Sequence, residues 1–149
     1  MAVKGSSAGS RESLWVTLLD TLFPPHCVAC GAAGEWFCRS CMRSIPGEGR
    51  LGQVRRLSNA SHWLAGALTL SPHVSPLRQG VHALKYGGMR VLAEPLGSLL
   101  ATGWRQQSRQ ADCVVPVPLH PRNQRRRGYN QAELLARVLA EQTGLRLCA

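Results

Sequence analysis

The chain has 149 residues, 44% hydrophobic and 17% charged, a composition that suits one ordinary globular domain or a small module with a larger one and excludes a purely polar, disordered tail. Its 15 glycines and 9 prolines exclude a mostly helical protein. The formal charge of +10, from 18 Lys plus Arg against 8 Asp plus Glu, favours a nucleotide, a polyanion or an acidic surface as partner without choosing among them.

Residues 1–23 open with a polar leader, MAVKGSSAGS, after which Leu14, Trp15, Leu18, Leu19 and Leu22 recur at helical spacing and predict one short amphipathic helix. Asp20 interrupts the apolar run before it reaches membrane length, and no small-residue cleavage pattern follows. The expectation is a cytoplasmic chain without a transmembrane segment. The apolar stripe packs either on the rest of the protein or on a partner or membrane surface.

The strongest signal lies in residues 24–45. Cys27 and Cys30 form one CxxC and Cys38 and Cys41 another, so that two thiolate pairs turn toward one centre. Four thiolates make a closed tetrahedral set, the donor arrangement of a structural Zn²⁺ site, which folds the chain and leaves no open position for catalysis. Two disulfides, a redox CxxC and an iron-sulfur cluster are the competing readings. Gly31 follows the first pair where a turn around a metal needs positive φ, EWF reads as a short strand, and His26 reads as a turn residue beside an already complete ligand set. Cys113 and Cys148 lie in apolar surroundings and read as buried small hydrophobes.

Residues 46–62 show neither the helical nor the strand period and read as a linker. Over residues 63–149 order returns. WLAGALTL predicts a strand or hairpin arm, and Ser75 with Pro76 predicts an N-cap and first helical position. Leu77, Val81 and Leu84 make one face of a helix ending near KYGG. A second helix, about Met89 to Trp104, turns Leu92, Leu96, Leu99 and Leu100 inward, with Pro95 bending it or lying in its first turn. CVVPVP reads as a short buried strand, limited by Pro116 and Pro118. Ala132, Leu135, Val138 and Leu139 line a last helix, which Gly144 ends.

Between that strand and that helix lies QRRRGYNQ. All but two of the basic residues, Lys4 and Lys85, are arginine, whose rigid donor fork suits phosphate, although high genomic GC content gives the same bias. A turn at a strand end and helix start offers unpaired N–H groups to an anion. Arg122, Arg125, Arg126 and Arg127 then supply charge, and Gly128 lets the backbone approach closely. Asn130 or Gln131 caps the helix or meets polar ligand groups. Tyr129 either stacks on a base or packs beneath the loop. The alternative is an unspecialised charged loop.

CVACG…FCRSC, ALKYGG and VVPVPLHPRNQRRRGYNQAELLARVLA, in this order, resemble the ComF/GntX family of competence-associated, phosphoribosyltransferase-like proteins, and the resemblance runs from about Leu18 onward. It implies an α/β fold in which a small N-terminal four-cysteine zinc-ribbon-like module precedes the front part of a type I phosphoribosyltransferase-like domain. It also implies zinc on Cys27, Cys30, Cys38 and Cys41, and a loop from Pro116 to Gln131 near the pyrophosphate side of a nucleotide-sugar site. Lys85 matches the LKY element of the family and supports that pocket, or is a solvated helix end. A later acidic pair and Thr/Gly-rich sugar-phosphate loop of such proteins do not occur before Ala149, so the chain reads as the front portion of a longer protein. Mg²⁺ and phosphoribosyl diphosphate are expected only with a full-length protein, since carboxylates are sparse here, Asp112 and Glu133 being the nearest.

The family resemblance implies a role in DNA uptake and natural transformation, with the basic loop binding single-stranded DNA, phosphoribosyl groups or nucleotides. It implies contact with the uptake machinery at the inner face of the membrane. A nucleotide-related phosphoribosyltransferase and a structural zinc adaptor are the alternatives; no nucleophile or base in these residues identifies a transferase.

Overall fold

A computed structural model of the chain describes residues 24–46, 54–55, 67–107 and 110–148. The amphipathic helix expected over residues 1–23, most of the expected linker and the first residues of WLAGALTL lie outside them. The elements are α1 (Arg39–Arg43), β1 (Val54–Arg55), β2 (Ala67–Leu68), α2 (Leu77–Tyr86), a 3₁₀ turn (Arg90–Leu92), α3 (Ala93–Arg105), β3 (Cys113–Val114), α4 (Pro121–Arg127), α5 (Gln131–Thr143) and β4 (Arg146–Leu147). Helices and short strands are mixed along the chain, an α/β arrangement. Among the described residues no helix is long and apolar enough to cross a membrane.

Two short sheets are present among the described residues. β1 and β2 pair antiparallel, Val54 with Leu68 and Arg55 with Ala67, so the segment read as a linker contributes a strand. β3 and β4 pair in parallel, Cys113 with Arg146 and Val114 with Leu147, with α4 and α5 in the crossover. Regular pairing of CVVPVP stops at Val114. The buried strand expected there is corrected by exposure: Val115 and Val117 face solvent, each next to a proline that has no N–H to give a neighbour. Cys113 and Cys148 are half-buried rather than buried, because they flank each other at the rim of this small sheet. The Cys148 sulfur raises the Cys113 thiol pKa, with burial adding to it.

The core forms where α2, the 3₁₀ turn and α3 meet the Cys-rich segment. Leu84, Leu92, Ala93 and Leu96 are buried together with Phe37, Ile45 and Tyr129, and Leu77, Val81 and Leu99 pack around them. The expected apolar faces of both helices are therefore the observed ones, and Pro95 sits in the first turn of α3, where its missing N–H costs no hydrogen bond. Ser75 does not cap α2. Pro76 occupies the N-cap position, and the Ser75 hydroxyl instead accepts a hydrogen bond from Gln79 Nε2 at 3.0 Å.

Two glycines set the distances between elements. A Cβ on Gly80 would come within 2.8 Å of Phe37 Cε2, so the bare backbone of α2 is what seats the Phe37 ring. A Cβ on Gly97 would lie 2.6 Å from Val138 Cβ and 2.7 Å from its Cγ1, which allows α3 and α5 to cross in near-backbone contact. Hydrogen bonds extend this crossing, as Gln142 Nε2 donates to Ser98 Oγ at 2.6 Å and Arg105 donates to the Gln142 carbonyl.

Alanine is the better helix former by about 1 kcal/mol, but forcing a methyl against a branched, backbone-proximal Val138 costs about 1–3 kcal/mol. Gly97→Ala is therefore expected to lower stability. Gly80→Ala, whose methyl meets the edge of the Phe37 ring rather than a Cβ next to the backbone, should lower it less. Urea unfolding of both variants checks the order.

Candidate functional site

The Cys-rich segment wraps itself around four sulfurs. The Gly31 N–H returns to the Cys27 carbonyl at 2.8 Å and the Gly34 N–H to the Pro25 carbonyl at 2.7 Å. Both glycines have positive φ, +78° at Gly31 and +110° at Gly34, as tight turns about a centre require. His26 forms an antiparallel bridge with Ala33, so it is a turn-flanking backbone partner; EWF is not a strand, because the bridge falls two residues earlier. The second pair is placed by α1, which begins one residue after Cys38 and carries Cys41 one turn on.

The sulfurs of Cys27, Cys30, Cys38 and Cys41 all lie within 4.8 Å of one another, and those of Cys30 and Cys38 are 3.6 Å apart. A tetrahedral ion with metal–sulfur bonds of about 2.3 Å needs sulfurs about 3.8 Å apart. The set therefore fits one metal ion held by four thiolates. Burial pushes the Cys27 thiol up, but the N–H groups of Cys38, Ala29 and Cys30 outweigh it and bring its pKa down to about 6. The Cys41 thiol is pushed up instead, by burial first and then by the sulfurs around it.

The basic cluster is helical. Pro121 to Arg127 form α4, opened by His120, whose Nδ1 accepts the Arg122 N–H at 3.3 Å, and closed by Gly128 at φ +76°. The expected loop is corrected accordingly: Pro121 starts a helix with its fixed φ, and three arginines in its last turn are stabilised by the carbonyl end of the helix dipole. Arg125, Arg126 and Arg127 therefore stand at the carbonyl end of a helix rather than in a loop.

Gly128, Tyr129 and Asn130 join α4 to α5, and the side chains of Tyr129 and Asn130 are buried. Tyr129 is 7% exposed, and its hydroxyl donates to the Leu84 carbonyl in the last turn of α2, one of the acceptors a helix end leaves over. Of the two roles read from sequence, burial leaves Tyr129 the packing one. Asn130 is the cap: its Oδ1 accepts from the Ala132 N–H at 3.0 Å while its Nδ2 donates to the Val117 carbonyl at 3.2 Å. Gln131 Oε1 accepts from Arg127 at 2.8 Å. Gly128 brings its backbone close to Arg90, which donates to its carbonyl at 2.7 Å and lies 4.7 Å from the centre of the Tyr129 ring. Arg90 was not singled out in the sequence, where nothing but its charge marks it, because its partners are 38 and 39 residues away.

These contacts bring the end of α2 against the end of α4 and leave between them a cavity of about 380 Å³, lined by Lys85, Tyr86, Gly88, Arg126, Arg127 and Tyr129. Of the sequence-predicted residues, Lys85, Arg126, Arg127 and Tyr129 meet there. Arg122 and Arg125 are exposed outside the lining, and Gly128, Asn130 and Gln131 hold the turn behind it. Arg127 is fixed by Gln131 and by the Tyr86 ring 5.0 Å away, while its Nε is buried without a hydrogen-bond partner. A fixed, partly unsatisfied guanidinium beside two further cations is suited to an anion.

No family model matches the chain, and no solved structure matches it. Competence protein F of Haemophilus influenzae (strain ATCC 51907 / DSM 11121 / KW20 / Rd) is 24% identical over 124 residues, which cover 78% of this chain and 47% of that protein. The similarity is distant and partial, and the chain spans about half the length of this curated relative.

Titration with Co²⁺ is expected to saturate near one equivalent per chain with the absorption of a tetrahedral thiolate site, and Cys38→Ser should weaken that binding and loosen the module around it. Tyr129→Phe orphans the Leu84 carbonyl and should cost about 1–3 kcal/mol in urea unfolding.

Proposed function

We propose that the four cysteines hold a structural Zn²⁺, and that the cavity between α2 and α4 binds the phosphates of single-stranded DNA or a nucleotide as part of a competence-related role in DNA uptake. The carrying observation is the convergence of Lys85, Arg126 and Arg127, from two elements about 40 residues apart in sequence, on one cavity. Four thiolates with no fifth donor suit zinc as a structural ion, and such an ion stabilises the fold without entering a reaction. The zinc module is assigned to residues 24–45 and the phosphate-binding part of a phosphoribosyltransferase-like domain to residues 63–149, with the intervening segment as their connection.

The distant likeness to a protein named for competence and the order of the sequence motifs support this reading. Within the cavity, Arg127 is the anchor, since Gln131 and Tyr86 fix its plane before a ligand arrives. Arg126 and Lys85 supply further charge. Tyr129, Asn130 and Arg90 act behind them as positioning residues. In the longer protein implied by the relative, Mg²⁺ and phosphoribosyl diphosphate are the small-molecule counterparts of the same phosphate chemistry. A cytoplasmic location, at the inner face of the membrane where entering DNA is met, follows from that role.

If these contacts are to phosphates, affinity for an oligothymidylate should fall with salt, and the slope of log affinity against log salt should drop by about 0.7 for each contact removed. Arg126→Ala and Arg127→Ala are expected to lower the slope; Arg125→Ala, which changes the same charge outside the cavity, should change it least. Equal effects of all three would assign the binding to diffuse surface charge.

A further inference from the structure

The aromatic residue at this cavity that a ligand can reach is Tyr86. It stands in the last turn of α2 and is 64% exposed, whereas Tyr129, which also borders the cavity, is only 7% exposed. Behind it, the His82 ring centre is 5.3 Å away, edge-on at 66°, and the His73 ring lies 6.0 Å beyond that. Arg78, His82 and Tyr86 are spaced by four, which sets them in one row along the outer face of α2, and all three are exposed. Leu84 and Gly80 on the opposite face carry the packing of this helix, so the row is not needed to hold the fold together.

We propose that Tyr86, continued by His82 and His73, is a base-stacking platform that leads a single strand of nucleic acid along α2 from the Arg126–Arg127 cavity. This rests on the phosphate reading of that cavity. Cations mark both ends of the row, Arg127 with Lys85 at one and Arg78 at the other. The ion pairs among the described residues, Arg39 with Glu35 and Arg137 with Glu133, leave all three without a carboxylate partner. A run of exposed rings with cations at both ends matches a polymer that offers both phosphates and flat base faces, as a single strand does. An acidic peptide would meet the cations and leave the rings idle. Arg127, already over the Tyr86 ring, couples the two parts: a guanidinium that pairs with a phosphate and a phenol ring that receives the adjoining base form one nucleotide-sized subsite.

The test uses the full chain with two probes of equal length, an oligothymidylate and an abasic oligonucleotide that keeps the phosphates and lacks the bases. Wild type should prefer the oligothymidylate, and Tyr86→Leu should weaken that binding by roughly 5- to 150-fold, the span of one lost stacking contact, with an unchanged salt slope and unchanged affinity for the abasic probe. Tyr86→Trp and Tyr86→Phe should stay near wild type, which separates loss of the ring from damage to the fold, and His82→Ala should lose less than Tyr86→Leu. Equal wild-type affinity for both probes, or an oligothymidylate affinity untouched by Tyr86→Leu, would overturn the platform while leaving the phosphate cavity in place. Competition by polyglutamate as effective as by oligothymidylate would also overturn it, in favour of an acidic protein partner. A Tyr86-dependent affinity that persists with no change of salt slope in the Arg126→Ala and Arg127→Ala variants would instead reject the phosphate reading and keep the platform.

Discussion

One buried hydrogen bond, from the Tyr129 hydroxyl to the Leu84 carbonyl, joins the two elements that make the cavity. The last carbonyls of a helix have no partner within it, and leaving one buried and unmet costs about as much as a hydrogen bond contributes. By meeting that need, Tyr129 fixes the end of α2, with Lys85 and Tyr86 on it, against the end of α4, with Arg126 and Arg127 on it. Arg90 locks the same joint from the other side by lying over the Tyr129 ring and donating to the Gly128 carbonyl. The cations that face the cavity are thus placed by a largely buried joint, and a charge-rich surface acquires a defined mouth.

The Cys-rich segment enters the same framework through Phe37. Its ring lies on the bare backbone at Gly80, beside Leu96, so the module shares the core of the α/β portion. Ile45, just after the second cysteine pair, is buried in that cluster too. A short segment with few apolar residues of its own gains rigidity from four sulfurs and from this shared core. In return it covers the inner ends of Leu77, Val81 and Leu84, the residues that keep α2 in place.

Periodicity made the helices legible. Leu77, Val81 and Leu84, and then Leu92 and Leu96, face inward as their spacing requires, and Gly144 closes α5 in the left-handed conformation that its position implied. The four cysteines were equally plain, since two CxxC pairs constrain geometry through local chain alone. What the sequence concealed depended on distant partners. Three arginines in a row read as a loop because their helix is only seven residues long, too short to show a period, and is started by a proline that also ends strands. Val115 and Val117 looked like core because β-branched residues favour strands, but their neighbouring prolines end the pairing that would have buried them. Tyr129 and Tyr86 have the same composition and sit at one cavity. Only the three-dimensional joint distinguishes the buried phenol that supports the fold from the exposed one.

The spacing of the contacts at this joint also bears on how it assembles. Arg90 to Gly128 closes a span of 38 residues, and Leu84 to Tyr129 closes one of 45 that contains it. The entropy lost on closure grows only with the logarithm of the loop, so the first closure, through either contact, bears most of the cost. Once Arg90 has met Gly128, the second contact orders just the few residues between Leu84 and Arg90 and the single step to Tyr129. The two contacts therefore form almost as one event, at a speed governed by whichever of the two closures comes first. Half-built forms of the cavity, with α2 docked but α4 adrift, are correspondingly scarce.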